Sequence, residues 1–213
     1  GFNLVGVLAS TLQRAMPIVL AALSGVLCER SGIVNIAIEG MMLTAAMCSA
    51  LFGSLTHSSW LGLLISVVFS GLLGLLLALL SIRFKVNQVI SGTAINILAT
   101  GLTSFVSAKY LSAYQHLNSP GKFANVPIPL LSRIPVLGPI FFESNAIVYI
   151  MYALLVVIHV MLYYTPWGLR TRAIGEHPRA ADTLGVDVFK MRYINVTLGG
   201  VVAGLGGVFL VMG

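Results

Sequence analysis

Apolar residues run in six blocks along the chain, separated by short polar stretches and one long proline-rich one. The blocks predict membrane segments at Ala15–Leu27 (extendable through Phe2–Leu12), Ile33–Phe52, Trp60–Ile82, Val89–Ala108, Ala146–Tyr164, and from Tyr193 onward. Runs of roughly 20 apolar residues match the hydrocarbon thickness of a bilayer. Tyr163, Tyr164 and Trp167 place an aromatic anchor at the end of the fifth block. The alternating segments of about ten residues that mark a β-barrel are absent. The fold class is therefore all-α: a polytopic helical membrane protein.

Two of the polar stretches stand apart. The loop from Lys109 to Asn145 holds Pro120, Pro127, Pro129, Pro135 and Pro139, five of the eight prolines. That density opposes a long helix, and Val126 to Leu131, where proline alternates with apolar residues, predicts an extended or re-entrant segment. It reads either as a structural lid or as a direct contact to substrate. The second stretch, Pro166–Arg192, carries Arg170, Arg172, Arg179, Lys190 and Arg192, five of the twelve basic residues. It also carries Glu176, Asp182 and Asp187, three of the six acidic ones. Pro178 suits a first helical position and Gly185 a residue just past a helix end. The short helix between them needs a surface to dock on. It predicts either a knob fitted into a partner's groove or a surface helix on lipid headgroups.

Composition agrees with the pattern. A mean hydropathy of +0.98 and a charged fraction of 8% exclude an ordinary soluble domain. The net charge of +6 lies in short loops beside apolar spans, which speaks for membrane orientation and against a nucleic-acid partner. With Pro166–Arg192 inside, alternation also puts Arg30, Arg83 and Lys85 inside, eight basic residues against Arg14, Lys109, Lys122 and Arg133 outside. The N-terminus then lies outside. Cys28 and Cys48 are too few for a disulfide framework or a metal site and read as packing residues. The first apolar run lacks a basic leader and a small-residue cleavage site, so no cleaved signal peptide is expected. The chain opens on Gly1 and stops at Gly213 inside an apolar run, which reads as a chain cut at both ends.

Polar residues at membrane depth are costly and usually face protein or water. Asn35 and Glu39 are four apart, which predicts one helical face if the second block is helical throughout; Gly32 and Gly40 bracket them and permit a break. Glu39 reads equally as a pathway residue or as a buried acid holding helices together. Thr93, Asn96, Thr100, Thr103 and Ser107 draw one stripe down the fourth block, extended by Asn87, Gln88, Ser91 and Gly92. The stripe predicts the wall of an aqueous pathway, although Thr and Ser can also satisfy themselves on their own helix. Gly199, Gly200, Ala203, Gly204, Gly206 and Gly207 form a small-residue surface for close helix packing.

Three blocks carry a resemblance to a known family: Glu29 to Met42, Asn87 to Asn96, and Gly168 to Val186. They resemble the membrane permeases of bacterial ABC importers in the branched-chain amino acid and simple-sugar superfamily, most of all the nucleoside-type permeases. The likeness covers nearly the whole chain, so residues 1–213 read as one transmembrane permease domain, with an outer loop at 109–145 and a coupling loop at 166–192. It implies a second permease subunit, cytoplasmic ABC ATPase subunits, an extracytoplasmic solute-binding lipoprotein and a place in the bacterial cytoplasmic membrane. Glu176, His177, Pro178, Arg179, Ala180, Ala181, Asp182 and Gly185 match the family's coupling loop, which rests on the ATPase. Asn35, Glu39 and Asn96 match polar positions of its core spans. With Thr93 and Thr100 they form the expected solute pathway. Family permeases continue with further spans, so this chain is expected to be a fragment.

No cofactor, metal site or catalytic residue is expected. The chain has no G-x-x-x-x-G-K-[ST] loop to hold ATP. His57, His116, His159 and His177 are scattered, and no His/Glu metal motif or Ser/His pair appears. A stand-alone secondary transporter would carry charge pairs within the membrane, where only Glu39 is deeply placed. An intramembrane enzyme is the weaker rival.

Overall fold

The computed structural model of the chain describes residues 4–127, 141 and 143–213. Among the described residues six helices are long and apolar enough to cross a membrane: α1 (Leu4–Glu29), α2 (Ile38–Thr56), α3 (Ser59–Ala78), α4 (Gln88–Val106), α5 (Ala146–Tyr164) and α8 (Val188–Met212). α3 and α4 each run on through a π-helical turn, Leu79–Arg83 and Ser107–Leu111. Two shorter helices, α6 (Pro166–Glu176) and α7 (Pro178–Thr183), join α5 to α8. β1 (Asn125–Pro127) and β2 (Glu143–Asn145) pair antiparallel ahead of α5.

Several boundaries differ from the sequence reading for identifiable reasons. α1 is one helix that takes in the proposed extension from Leu4 on, with Pro17 inside it. The second segment starts at Ile38 and not at Ile33, because α1 ends in a Schellman motif. Ile33 N donates to Cys28 O at 3.2 Å, Gly32 N donates to Glu29 O at 2.9 Å, and Gly32 takes φ +84°. Residues 33–36 beyond that turn have no regular secondary structure. α8 starts at Val188, five residues before Tyr193, because Asp187 caps it by accepting from Lys190 N at 2.9 Å. α6 was not anticipated as a helix. Thr165 at its N-cap accepts from Gly168 N at 3.2 Å, and Pro166 follows at the first position. Pro129, Arg133, Pro135, Pro139 and most of the Val126 to Leu131 stretch lie outside the described residues.

α8 is the axis of the bundle and packs on α1, α2 and α3. Its glycines make this possible. A Cβ on Gly200 would come within 2.8 Å of Ser70 O on α3, and one on Gly204 within 2.8 Å of Ser70 Cβ. A Cβ on Gly199 would strike Cys28 Sγ on α1, and one on Gly207 the Met42 carbonyl on α2. Ser70 Oγ donates to Gly200 O at 2.7 Å across the α3–α8 seam. Without a hydrophobic force between helices in lipid, such backbone contact supplies the dispersion that holds them. Cys28 and Cys48 are buried free thiols, as packing residues should be. α4 rests on α2, and α5 on α1 and α6.

The helices alternate so that the basic segments gather at one end. Arg83, Lys85, Phe189 and Tyr193 line one cleft there, and Arg30 Nη2 donates to Tyr163 OH at 3.2 Å. At the opposite end Phe123 N donates to Met212 O at 3.0 Å, and the Phe123 ring meets Trp60 edge-on at 5.1 Å.

Gly207→Ala should destabilise the bundle by about 1–3 kcal/mol, because the Met42 carbonyl cannot retreat without shifting α2. Gly101→Ala on α4 should be neutral or slightly stabilising, since nothing lies within 4 Å of its Cβ position. Thermal melts of the two variants in the same detergent check the contrast.

Candidate functional site

The break between α1 and α2 is the centre of the site. The amides of residues 30–33 close onto carbonyls of α1, whereas Val34 N, Ile36 O and Ala37 N take their partners from side chains. Asn35 is buried, and its Oδ1 accepts from Ala37 N at 3.0 Å. Its Nδ2 points at two sulfurs, Cys28 Sγ at 3.5 Å and Met41 Sδ at 3.7 Å. Asn35 is thus a turn-forming residue packed inside. It does not share a helical face with Glu39, because the chain between them is not helical. Glu39 itself is exposed, in the first turn of α2, where a carboxylate complements the helix dipole.

α4 holds this connector with three residues spaced four apart. Gln88 Oε1 accepts from Val34 N at 2.8 Å, and its Nε2 lies 3.5 Å from Gly32 O. Gly92 lets the connector lie flat, since a Cβ there would be 2.9 Å from Ile36 Cβ. Asn96 Nδ2 donates to Ile36 O at 2.9 Å, and Asn96 Oδ1 accepts from Gly40 N at 2.8 Å. α2 has no capping side chain of its own, so Asn96 caps it from another helix. By helical rise, Asn96 stands about 12 Å deeper than Gln88. Glu39, next to Gly40, shares that depth.

The rest of the predicted stripe is only partly available. Thr93, Thr100 and Thr103 donate to the carbonyls of Val89, Asn96 and Ala99 on their own helix, at 2.9, 2.8 and 2.7 Å. Thr103 is buried, while Thr93 and Thr100 are exposed. Glu39, Thr93, half-buried Asn96 and Thr100 therefore lie along the α2–α4 face, with Asn96 spent on backbone and Asn35 behind it.

The second part of the site is the elbow α6–α7. Gly168 lets α6 fold back against the Met161 and Leu162 carbonyls of α5. Ile174, Ala181 and Val188 form a small apolar cluster that seats α7. α7 ends in the same motif as α1: Val186 N donates to Ala181 O at 3.1 Å, Gly185 N to Asp182 O at 2.9 Å, and Gly185 has φ +80°. Glu176, His177, Arg179, Ala180, Asp182 and Gly185 are exposed, Pro178 is half-buried, and Ala181 is the inward anchor. Leu184 is 84% exposed, an apolar tip on a charged surface.

Arg192 joins the two parts. Its Nε donates to Ser31 O at 2.9 Å, and its Nη2 reaches Ile174 O at 3.5 Å. One cation thus meets carbonyls at the ends of α1 and α6, where the helix dipoles are negative. Gly175 adds a backbone contact, since a Cβ there would strike Arg30 O. Asn195 and Thr171, both fully buried, bond across α8 and α6 at 3.2 Å. The sequence reading counted Arg192 only as charge and Gln88 only as added polarity, and missed Asn195. The spacing Gln88–Gly92–Asn96 and an asparagine within an apolar helix were the available signals. Among the described residues no group of three or more His, Cys, Asp and Glu could hold a metal.

Six apolar helices among the described residues, joined by a broken connector and a docked surface elbow, define a polytopic helical membrane protein. Residues 7–213 match the family described as branched-chain amino acid transport system / permease component, and the chain belongs to that family. It is 42% identical over 208 residues to a guanosine ABC transporter permease protein, NupQ, of Bacillus subtilis, covering 94% of this chain and 65% of the relative. It is 36% identical to a putative glucose ABC transporter permease protein, TsgC13, of Haloferax volcanii, covering 96% and 62%. It is 34% identical to a nucleoside ABC transporter permease protein, NupC, of Lactococcus lactis, covering 94% and 65%. The chain thus spans just under two thirds of the length of these relatives. No solved structure matches it.

Gln88→Ala should raise hydrogen exchange of the Val34 amide, and Asn96→Ala that of Gly40, each by roughly tenfold, the loss of one hydrogen bond. Exchange mass spectrometry of both variants reads this directly, with the α8 amides as the unchanged reference.

Proposed function

We propose that the chain is the membrane-spanning subunit of an ATP-driven importer in the cytoplasmic membrane of a bacterium, carrying nucleosides inward by alternating access. The observation that carries this reading is the unbroken mechanical path from the elbow to the membrane interior. α7 is seated on Ile174 and Val188, Arg192 ties that seat to Ser31, and the connector from Ser31 to Gly40 is fastened to α4 by Gln88 and Asn96. A push on the exposed elbow is therefore felt at Glu39.

The partners follow from what is left uncovered. Glu176, His177, Arg179, Asp182 and Leu184 offer charge and one apolar tip to a cytoplasmic ABC ATPase subunit, which supplies the ATP energy. Glu39, Thr93 and Thr100 leave a polar face at membrane depth that lipid cannot solvate. A second permease subunit covers it across a water-filled route, and an extracytoplasmic binding lipoprotein delivers solute to the outer mouth. On this face the carboxylate of Glu39 is the group left to accept hydrogen bonds from ribose hydroxyls or base N–H groups. The likeness to guanosine and nucleoside permeases favours nucleosides. The likeness to a glucose permease supports simple sugars as the second reading, since a sugar offers the same hydroxyl donors.

The test is reconstitution with the ATPase subunits, the second permease and the binding protein, following uptake of labelled guanosine and glucose. Arg179→Ala with Asp182→Ala should lower uptake about tenfold or more while loaded binding protein still docks, the loss of two charge-assisted contacts. Glu39→Gln should lower uptake with ATP hydrolysis retained. Wild-type coupled uptake in the elbow variant would sink the reading.

A further inference from the structure

Two arginines converge on one tyrosine where α1, α5 and α6 meet. Arg30 Nη2 donates to the Tyr163 hydroxyl at 3.2 Å, and the Arg172 guanidinium carbon stands 5.1 Å from the centre of the same ring. With Val26, Glu29, Gly175 and Glu176 they line an open cavity of about 320 Å³. Two guanidiniums beside one ring repel each other, and each carries five N–H donors. Arg30 spends one of its donors on Tyr163, and Arg172 Nε has no hydrogen-bond partner. Among the described residues neither arginine forms an ion pair, although Glu29 and Glu176 line the same cavity. The pocket thus presents unspent cationic donors and unspent carboxylates.

That pairing of charges selects its ligand. A group bearing only negative charge would satisfy the arginines and be repelled by the two glutamates. A group with one anionic and one cationic end satisfies both. The place narrows the source. The cavity sits at the membrane–water boundary, beside Tyr164 and the end of α5, and Val26 and Ile18 continue it as an apolar, exposed strip down α1. We propose that this cavity holds the headgroup of an aminophospholipid, the phosphodiester on Arg30 and Arg172 and the primary ammonium on Glu29 and Glu176, with the acyl chains along α1. A bound headgroup would bridge the ends of α1 and α6, the two elements that Arg192 ties from the other side. Lipid would then stiffen the joint between elbow and connector.

The test is native mass spectrometry of the full chain released from nanodiscs holding equal parts of phosphatidylethanolamine, phosphatidylglycerol and phosphatidylcholine. Phosphatidylethanolamine should be retained about tenfold over the other two, and Arg30→Gln or Arg172→Gln should abolish the excess. Glu29→Gln with Glu176→Gln should shift retention toward phosphatidylglycerol. Tyr163→Phe keeps the ring and loses the hydroxyl, and should weaken retention with an unchanged melting midpoint, which separates the site from a folding defect. Equal retention of the three lipids would overturn the proposal. So would a rise in melting midpoint with inorganic phosphate, in lipid-free detergent, as large as that given by phosphatidylethanolamine.

Discussion

Unwound backbone at the edge of the hydrocarbon must find hydrogen-bond partners, and in this chain the partners of residues 30–37 decide where the other helices stand. Lipid offers nothing to a bare N–H or carbonyl. The connector therefore draws Gln88 and Asn96 from α4, Asn35 from itself and Arg192 from α8. Each of these bonds fixes a helix as much as it satisfies a backbone group. α4 has little other packing, lying on α2 alone among the long helices apart from a lighter contact with α3. Its position is set largely by the two amides and by the flat approach at Gly92.

The glycine surface of α8 is the other half of the same arrangement. Arg192 can reach Ser31 only because α8 runs against α1, and it does so because Gly199 leaves room for Cys28 and Ser24. The same helix touches α3 through Gly200 and Gly204 and α2 through Gly207. A stripe of small residues is thus what brings a cation on one helix to the carboxyl ends of two others. α8 is buried along most of its length, so an arginine at its start stands on a fixed base.

The six spans were legible because each needs about twenty apolar residues and little else. The fifth span, Ala146–Tyr164, agrees with the structure to the residue, since Asn145 caps it and Thr165 breaks it. Gly185 was legible as a helix end because glycine takes its left-handed backbone at low cost, whereas Gly32 was read only as permitting a break. The stripe on α4 was visible, but its purpose was divided: Asn96 serves the backbone of α2, whereas Thr93 and Thr100 face outward. Spacing alone does not distinguish these, because the partner that claims Asn96 is 60 residues away. Arg192 was hidden for the same reason, its acceptor lying 161 residues back along the chain. Asn35 was misplaced because a four-residue offset means a shared face only if every residue between is helical, and Gly32 ends the helix first.

The elbow and the connector are joined by few contacts, and that scarcity has a mechanical meaning. A three-residue apolar cluster holds α6, α7 and the start of α8 together, and Asn195 on α8 bonds Thr171 on α6. Beyond them, Arg192 and the close approach of Gly175 to Arg30 make the link to the connector. A wide apolar seam would weld the elbow to the bundle and let it move only with all six spans. A joint of directional hydrogen bonds instead permits rotation while keeping its ends in register, because donors and acceptors tolerate angle changes better than packed side chains tolerate displacement. In the importer proposed above, such a joint would let the elbow follow an ATPase subunit through a stroke while the glycine-packed core of α1, α2, α3 and α8 stays intact.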